Sequence, residues 1–335
     1  MNFLKILARR IGFPFLLSSN AIKVYLHTSK PKTLIVMYHG IIKQHTQNIS
    51  VNHLPISEFE KQIRYLSSNF KMIKLSEAFS NHIHEPKREE FSIAVTFDDG
   101  YENNFTNAFP VLQKYGVPAT IFTVTGQLEN PEFMLWYDLI DFAKLNFPLS
   151  FFVSKINAAK LNHIPDEIKS WNDLKSFLKK LNDFEKKAVL DFDPFELNKI
   201  ISDTPEEYYK LLNIQQMKTM IDSGLIEMGS HTHTHPNLDI LSDKDLIFQL
   251  TKPKEILEES LGVKINSIAF PDGAYNDKVK SFAREVGYNM LLSVDSKIVS
   301  DRMEQDILPR FCISNTTTAE SNLVQIYMNF KKKGF

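Results

Sequence analysis

The stretch GSHTHTHPNL, residues 229–238, sets His231, His233 and His235 at every second position. Imidazole is the commonest side-chain ligand of transition metals, so the question is which of the three can act together. On a helix, His231 and His235 share a face because they are four residues apart; on an extended segment all three do. His231 and His235 are paired in either case. The rival use of the segment is a polar loop whose histidines only hydrogen-bond. Far upstream, TFDDGY, residues 96–101, sets two aspartates side by side behind an apolar run. Neighbouring strand residues point to opposite faces, so Asp98 and Asp99 serve one site only if the strand breaks there, and Gly100 supplies a residue able to turn sharply. One carboxylate can then hold a cation while the other takes a proton from water that the cation activates. The rival here is a loop pair in which Asp99 caps the following helix.

These residues follow predicted strands. TLIVMYH (33–39) is a continuous apolar run ending in a polar tip, as a buried parallel strand would be, and SIAVTF (92–97) reads as a second buried strand. PATIFTV (118–124), LIEMGSH (225–231), INSIAFP (265–271) and NMLLSV (289–294) extend the series. Helical spacing marks 57–70, with Ser57 and Glu60 in capping-box register, then Asn104–Tyr115 before Gly116 and Pro118, 213–224, 243–262 and 276–287. Between about 129 and 214 strand alternation gives way to lysine-rich helical stretches such as SWNDLKSFLKKLNDFEKKAVL, which reads as a helical insertion in one loop. Six or seven β/α units imply a parallel α/β barrel, in which the C-terminal strand ends form the active face. His39, Asp98, Asp99 and the histidine cluster all fall at such ends. The domain reading is a peripheral segment over 1–32 and a barrel over 33–335, with the insertion at about 129–214. His27, His45, His53, His82, His84 and His163 are scattered and read as surface residues.

A net charge of -1 and a pI near 6.8 give no electrostatic footprint for nucleic acid. Cys312 is the sole cysteine, which rules out an internal disulfide and thiolate clusters; a metal here takes histidine and carboxylate ligands. MNFLKILARRIGFPFLLSSNA mixes Lys5, Arg9 and Arg10 with a short apolar run holding Pro14. It reads as an amphipathic first helix lying on the domain or touching a membrane surface, in preference to a cleaved signal. No run approaches the roughly 20 apolar residues of a membrane span. The expected location is the cytoplasm or the inner face of the cytoplasmic membrane. Nothing fixes an oligomeric state.

TFDDG, then HTxxHPNL, then an FP-x-G segment, on βα alternation, resembles the polysaccharide deacetylases of carbohydrate esterase family 4, the NodB-homology domain, over about 33–128 and 215–313. MYHGI, 37–41, is similar to the subgroup of bacterial poly-N-acetylglucosamine deacetylases that carry a histidine on the first strand. The resemblance implies a distorted (β/α)7 barrel holding one divalent metal, commonly Zn2+ with Co2+, Ni2+ and Mn2+ as alternatives. It implies hydrolysis of N- or O-acetyl groups on sugars. It makes Asp98 the general base, Asp99, His231 and His235 the metal ligands, and Thr232 a hydrogen-bonding support for them, and it leaves His233 on a variable position. His39 becomes the acid for the departing amine, with simple packing in the barrel mouth as the alternative.

Pro271 opens the segment whose next residue offers a backbone N–H to the oxyanion in relatives. Asp272 departs from the usual Pro-Tyr pair and adds a carboxylate suited to a cationic or hydroxyl-rich group. The arginine that often stands two residues before this proline is Ala269 here. Arg310, in LPRFCI, is the candidate to orient Asp98, with a plain surface or structural salt bridge as the alternative. Trp136 and Tyr137, next to Asp138, are either a substrate wall by stacking or a hydrophobic anchor for the insertion.

The expected function is metal-dependent removal of an N-acetyl group from an amino sugar in a polysaccharide, oligosaccharide or glycolipid of the bacterial cell envelope. The expected partner is that N-acetylated saccharide or glycolipid, with peripheral membrane contact as an addition. Deformylation and O-acetyl ester hydrolysis are the enzymatic rivals. A carbohydrate-binding barrel without activity is the rival from another class, and the intact Asp98, Asp99, His231 and His235 set speaks against it.

Overall fold

Six consecutive buried residues form each of two neighbouring strands, β1 (Thr33–Tyr38) and the later Ser92–Phe97. Strands covered on both faces can be apolar throughout, and each fully buried Val, Leu or Ile side chain contributes about 1.5–3 kcal/mol relative to exposure. The computed structural model describes residues 12–18, 32–44, 52–84, 90–161, 168–202, 204–294 and 307–332. Its further strands are β2 (Gly40–Ile42), β3 (His53–Pro55), β4 (Lys71–Ile73), β5 (Ser92–Phe97), β6 (Ala119–Thr123), β7 (Ile226–Ser230), β8 (Ser267–Ala269), β9 (Met290–Leu292), β10 (Ile307–Leu308) and β11 (Phe311–Cys312).

The main sheet runs β10-β9-β8-β7-β6-β5-β1-β11, with β4 joining β5, and every pairing in it is parallel. It is a curled half-barrel wrapped by helices. Register sets up the site: Tyr38 lies opposite Phe97 and Thr123 opposite Ser230, so His39, Asp98 and His231 all leave the sheet at one end.

The helix at Ile56–Asn69 corrects the expected capping box. Its N-cap is Pro55 with no side-chain cap. Glu60 instead accepts from Lys114 Nζ at 2.7 Å, and Glu58 accepts the backbone N–H of Ala319 at 2.9 Å, at the start of the helix Ala319–Lys332. His53 corrects the surface reading: it is fully buried, with its ring 4.7 Å from that of Tyr101 and 5.1 Å from that of Tyr208. His27, His45 and His163, and the side chains of His82 and His84, lie outside the described residues.

Between β6 and β7 the described residues form helices and no main-sheet strand: Gly126–Glu129, Trp136–Asn146, Leu149–Ala158, Trp171–Leu178, Asp183–Val189 and Pro194–Ile201. Lysine-rich as they are, three of them start on capping boxes, Ser170 with Asp173, Asn182 with Glu185 and Asp193 with Glu196, each answering two otherwise unpaired backbone N–H groups. The five from Trp136 onward share a hydrophobic cluster of their own that includes Trp136, Tyr137, Phe142, Phe152 and Leu174. Within the stretch 1–32, Phe13–Ser18 is helical; residues 1–11 and 19–31 lie outside the described ones. No described helix is long and apolar enough to cross a membrane.

Candidate active site

The chain breaks out of β5 where the two aspartates stand. Asp99 and Gly100 both take left-handed backbone, φ 73° and 71°, which brings the two carboxylates to one side of the sheet end. A Cβ on Gly100 would lie 2.2 Å from Thr123 Oγ1, so glycine is required there by space as well as by φ. Four of the five non-glycine residues with positive φ among the described residues are Asp99, Thr232, His235 and Asp272. Such backbone is costly, most of all for a β-branched residue such as Thr232, and concentrates where side chains must be aimed.

That backbone also sorts the histidines. The segment after β7 is not extended: positive φ at Thr232 and His235 bends it, and Thr232 Oγ1 accepts the N–H of His235 at 3.0 Å. The rings of His231 and His235 therefore converge at 4.8 Å between centroids. Asp99 Oδ1 lies 3.4 Å from His231 Nε2 and 3.5 Å from His235 Nε2. His233 turns the other way. Its Nδ1 hydrogen-bonds with Thr125 Oγ1 at 2.8 Å, Nε2 lies 3.5 Å from Glu129, and the ring packs against Phe248.

Asp99, His231 and His235 form a buried group whose ligand atoms all lie within 4.8 Å of one another. The donor chemistry fits a divalent cation. His231 Nδ1 hydrogen-bonds with the carbonyl of Ala269 at 2.8 Å, which fixes the ring and aims Nε2 at the carboxylates, so that Nε2 is the nitrogen that would ligate an ion on giving up its proton. Burial, reinforced by His231, holds His235 down to about 4, so it is the neutral, ligating form near pH 7. Burial works against the anion of Asp99, but the bond to His231 and the nearby His39 and His235 outweigh it and hold the carboxyl well below its ordinary range. Burial also disfavours charge on His231, yet Asp98 and Asp99 reverse the direction and raise it. The two carboxylates thus demand positive charge where the imidazoles meet.

Asp98 is held differently. Arg310, from the turn between β10 and β11 and fully buried, grips it with both guanidinium nitrogens, Nη1 to Oδ1 at 2.6 Å and Nη2 to Oδ2 at 2.8 Å, while Nε donates to the carbonyl of Ser293. This disposes of the surface salt-bridge alternative. Burial opposes the Asp98 anion, but Arg310, followed by His231, lowers its pKa overall. The other oxygen contact is to the histidine group: Asp98 Oδ2 lies 4.0 Å from His231 Nε2. Asp99 accepts no hydrogen bond from the described helix that follows, so it is no helix cap.

Arg310→Met should cost about 3–5 kcal/mol of folding stability, because it strands a buried carboxylate. The double variant Arg310→Met/Asp98→Asn should recover most of that loss, as denaturant unfolding would measure. A double variant no more stable than the single one would contradict this account of the pair.

A cavity of about 560 Å³ opens over these groups, lined by His39, Asp98, Asp99, His231 and His235 from the sheet end. The insertion adds Trp136, Tyr137, Asp141, Lys175 and Lys179. His39 is half-buried, with its carbonyl fixed by Asn104 Nδ2 at 2.8 Å. Pro271 starts a short 3-10 turn, and the Asp272 carboxylate is engaged by Lys179 Nζ at 2.7 Å, which occupies the group that sequence offered to an external cation. Trp136 and Tyr137 belong to the insertion's core and border the cavity as well. Sequence reasoning missed Lys175, Lys179 and Asp141. Lys175 and Lys179 are four residues apart and so share a helix face, which was the available signal. It also missed the buried contact in which Tyr101 donates to Asp138 Oδ2 at 2.8 Å.

Over 268 residues the chain is 23% identical to YxkH of Bacillus subtilis (strain 168), whose name provisionally places it among polysaccharide deacetylases; the match covers 79% of this chain and 66% of that one. Over 295 residues it is 23% identical to the poly-beta-1,6-N-acetyl-D-glucosamine N-deacetylase of Staphylococcus aureus (strain MRSA252), covering 86% of this chain and 75% of that one. The solved structure of the Streptococcus pyogenes deacetylase PplD in complex with acetate aligns with a TM-score of 0.58 at 18% identity, over 89% of this chain and 98% of that one. That likeness is one of fold, and it matches the NodB-type (β/α) barrel. The family profile for polysaccharide deacetylase matches residues 85–291, and with more than half of the sequence inside that match the protein belongs to the polysaccharide deacetylase family.

Proposed function

We propose that the protein is a metal-dependent hydrolase that removes the N-acetyl group from an amino sugar of a bacterial polysaccharide, oligosaccharide or glycolipid. The observation that carries this reading is one cavity in which an Arg-clamped carboxylate, Asp98, stands 4.0 Å from a ring of the Asp99, His231 and His235 group. The name of the S. aureus relative, a poly-beta-1,6-N-acetyl-D-glucosamine N-deacetylase, supports an N-acetylated sugar as substrate.

Asp99, His231 and His235 would hold the ion, Zn2+ first among the divalent candidates. When bound, such an ion supplies Lewis-acid polarisation of the acyl carbonyl and makes water more acidic. Asp98 is the proton acceptor. Arg310 keeps it anionic and oriented, at the expense of basicity, so its partner must be water of lowered pKa. His39 borders the same cavity and hands a proton to the nitrogen of the departing amine. The backbone N–H of Asp272 is assigned to the developing oxyanion, while its carboxylate stays with Lys179.

The test is acetate release from small N-acetylated glucosamine oligosaccharides by metal-loaded protein. Acetate stoichiometric with new free amine supports the reading; release of formate alone, or of acetate only from O-acetyl esters, transfers it to the corresponding rival. Glycan binding without release of any acyl group sinks it.

His39→Gln separates the acid from the rest. It should lower kcat on the amide about 10²–10³-fold, within the range of general acid catalysis, with metal content unchanged. An activated acetyl ester whose leaving group needs no proton should lose far less. Equal losses on amide and ester would remove His39 from this role.

A further inference from the structure

Tyr137 is the second residue of the helix Trp136–Asn146, inside the insertion, yet its ring meets the histidine group edge-on, 5.1 Å from the ring of His235. Its hydroxyl is fully buried and has no hydrogen-bond partner among the described residues. The same is true of one oxygen of Asp99, Oδ2, while the other, Oδ1, is the one that faces both histidines. A donor and an acceptor, each buried and unanswered, thus sit beside each other across the join between insertion and barrel. Electrostatically the Tyr137 hydroxyl feels Asp99 and Tyr101 as its near neighbours.

Tyr101 competes for the Tyr137 proton, since its own proton goes to Asp138 and its oxygen remains an acceptor. The carboxylate is the stronger acceptor, because hydrogen bonds to an ionised oxygen are shorter and roughly twice as strong as neutral ones. If Asp99 held an ion through Oδ1, the oxygen facing both histidines, Oδ2 would need a donor, and an outer hydrogen bond of this kind would fix which carboxylate oxygen ligates.

We infer that Tyr137 is a positioning residue for the metal centre: its hydroxyl donates to Oδ2 of Asp99 and holds that carboxylate in one-oxygen ligation, so that the helical insertion completes a site whose ligands all come from the barrel. The inference rests on the metal-centre reading above. It gives the insertion a task beyond bordering the cavity, and it explains why an aromatic at the insertion's first turn carries a hydroxyl where a phenylalanine would pack equally well.

Tyr137→Phe tests it, because the ring and its packing stay and only the hydroxyl goes. Metal affinity is measured by competition between apo-protein and a fluorescent zinc chelator, alongside thermal unfolding of the apo-protein and the visible spectrum of the Co2+-loaded form. The variant should bind Zn2+ about 10–100-fold more weakly, the usual cost of losing an outer hydrogen bond to a ligand. The apo-protein should stay folded, its unfolding temperature lowered only by loss of the same bond, and the Co2+ spectrum should shift as Asp99 ligation relaxes. Zinc affinity within about twofold of wild type with an unchanged Co2+ spectrum overturns the role of Tyr137 and leaves the metal centre standing. Wild-type protein that binds no divalent ion at Asp99, His231 and His235 overturns the metal-centre reading, and this inference with it.

Discussion

Asp98→Asn should lower the rate of deacetylation about 10²–10⁴-fold, the contribution of a well-placed general base, while leaving metal content at the wild-type level. The substitution keeps shape and volume, and removes the negative charge that accepts the proton in the proposed mechanism. It also changes the contact with Arg310. Where the carboxylate receives two charged bonds at 2.6 and 2.8 Å, the amide offers one carbonyl oxygen and turns an NH2 group toward a guanidinium that can only donate. Some stability is therefore lost as well, so activity has to be compared at a temperature where both proteins are folded.

The informative control is Asp99→Asn, one residue along. Asp99 stands against both histidine rings, so this variant should lose the metal and with it the activity. If the two aspartates exchanged roles, the metal loss would follow Asp98→Asn instead. Two adjacent, isosteric substitutions thereby separate proton acceptor from ligand.

Much of the scaffold is legible in sequence because its signals are local. β1 and β5 are dominated by apolar residues, Thr33, Ser92 and Thr96 apart, and both are buried at all six positions. β8 is shorter than its apolar stretch: pairing spans Ser267–Ala269, and Phe270 and Pro271 turn into the cavity wall and the 3-10 turn. Strands of two or three residues, such as β4, β10 and β11, carry no periodicity to read. They exist because a longer neighbour templates them, as β5 does for β4. The helix Ala319–Lys332 carries Leu323, Ile326 and Tyr327 at helical spacing, but what fixes it is distant: the Glu58 carboxylate at its first turn and a contact between the hydroxyls of Tyr65 and Tyr327.

The site divides along the same line. That Asp98, Asp99, His231 and His235 come together follows from strand ends and motif spacing. The Arg310 clamp spans 212 residues and the Lys179–Asp272 pair spans 93, so each depends on topology that no window of sequence contains. The surface reading of His53 fails for the same reason: burial under Tyr101 and Tyr208 is a tertiary fact. Nor does any residue type announce left-handed backbone at Thr232. A β-branched side chain argues against it, and the cost is borne because the turn aims two imidazoles at one point.

Removing His231 or His235 should weaken Zn2+ binding by more than the roughly 10–100-fold that loss of an outer hydrogen bond costs, whereas His233→Ala should keep full metal content. The alternating HTHTH pattern makes all three look equivalent, and on an extended segment they would be, since residues at i, i+2 and i+4 share a face. The positive φ at Thr232 breaks that equivalence. After the break the four-residue interval brings His231 and His235 to the same carboxylate oxygen, and the middle ring points to Thr125, Glu129 and Phe248. His233→Ala should therefore act on the fold, by about 1 kcal/mol for the lost side-chain hydrogen bond plus some packing against Phe248, with metal stoichiometry unchanged. Elemental analysis after dialysis, paired with unfolding curves, reads both effects. Equal metal loss from His231→Ala and His233→Ala would require the segment to be extended when metal is bound. That in turn would undo the bond between Thr232 Oγ1 and the N–H of His235, so a metal-dependent loss of protection at that amide would be the independent sign of it.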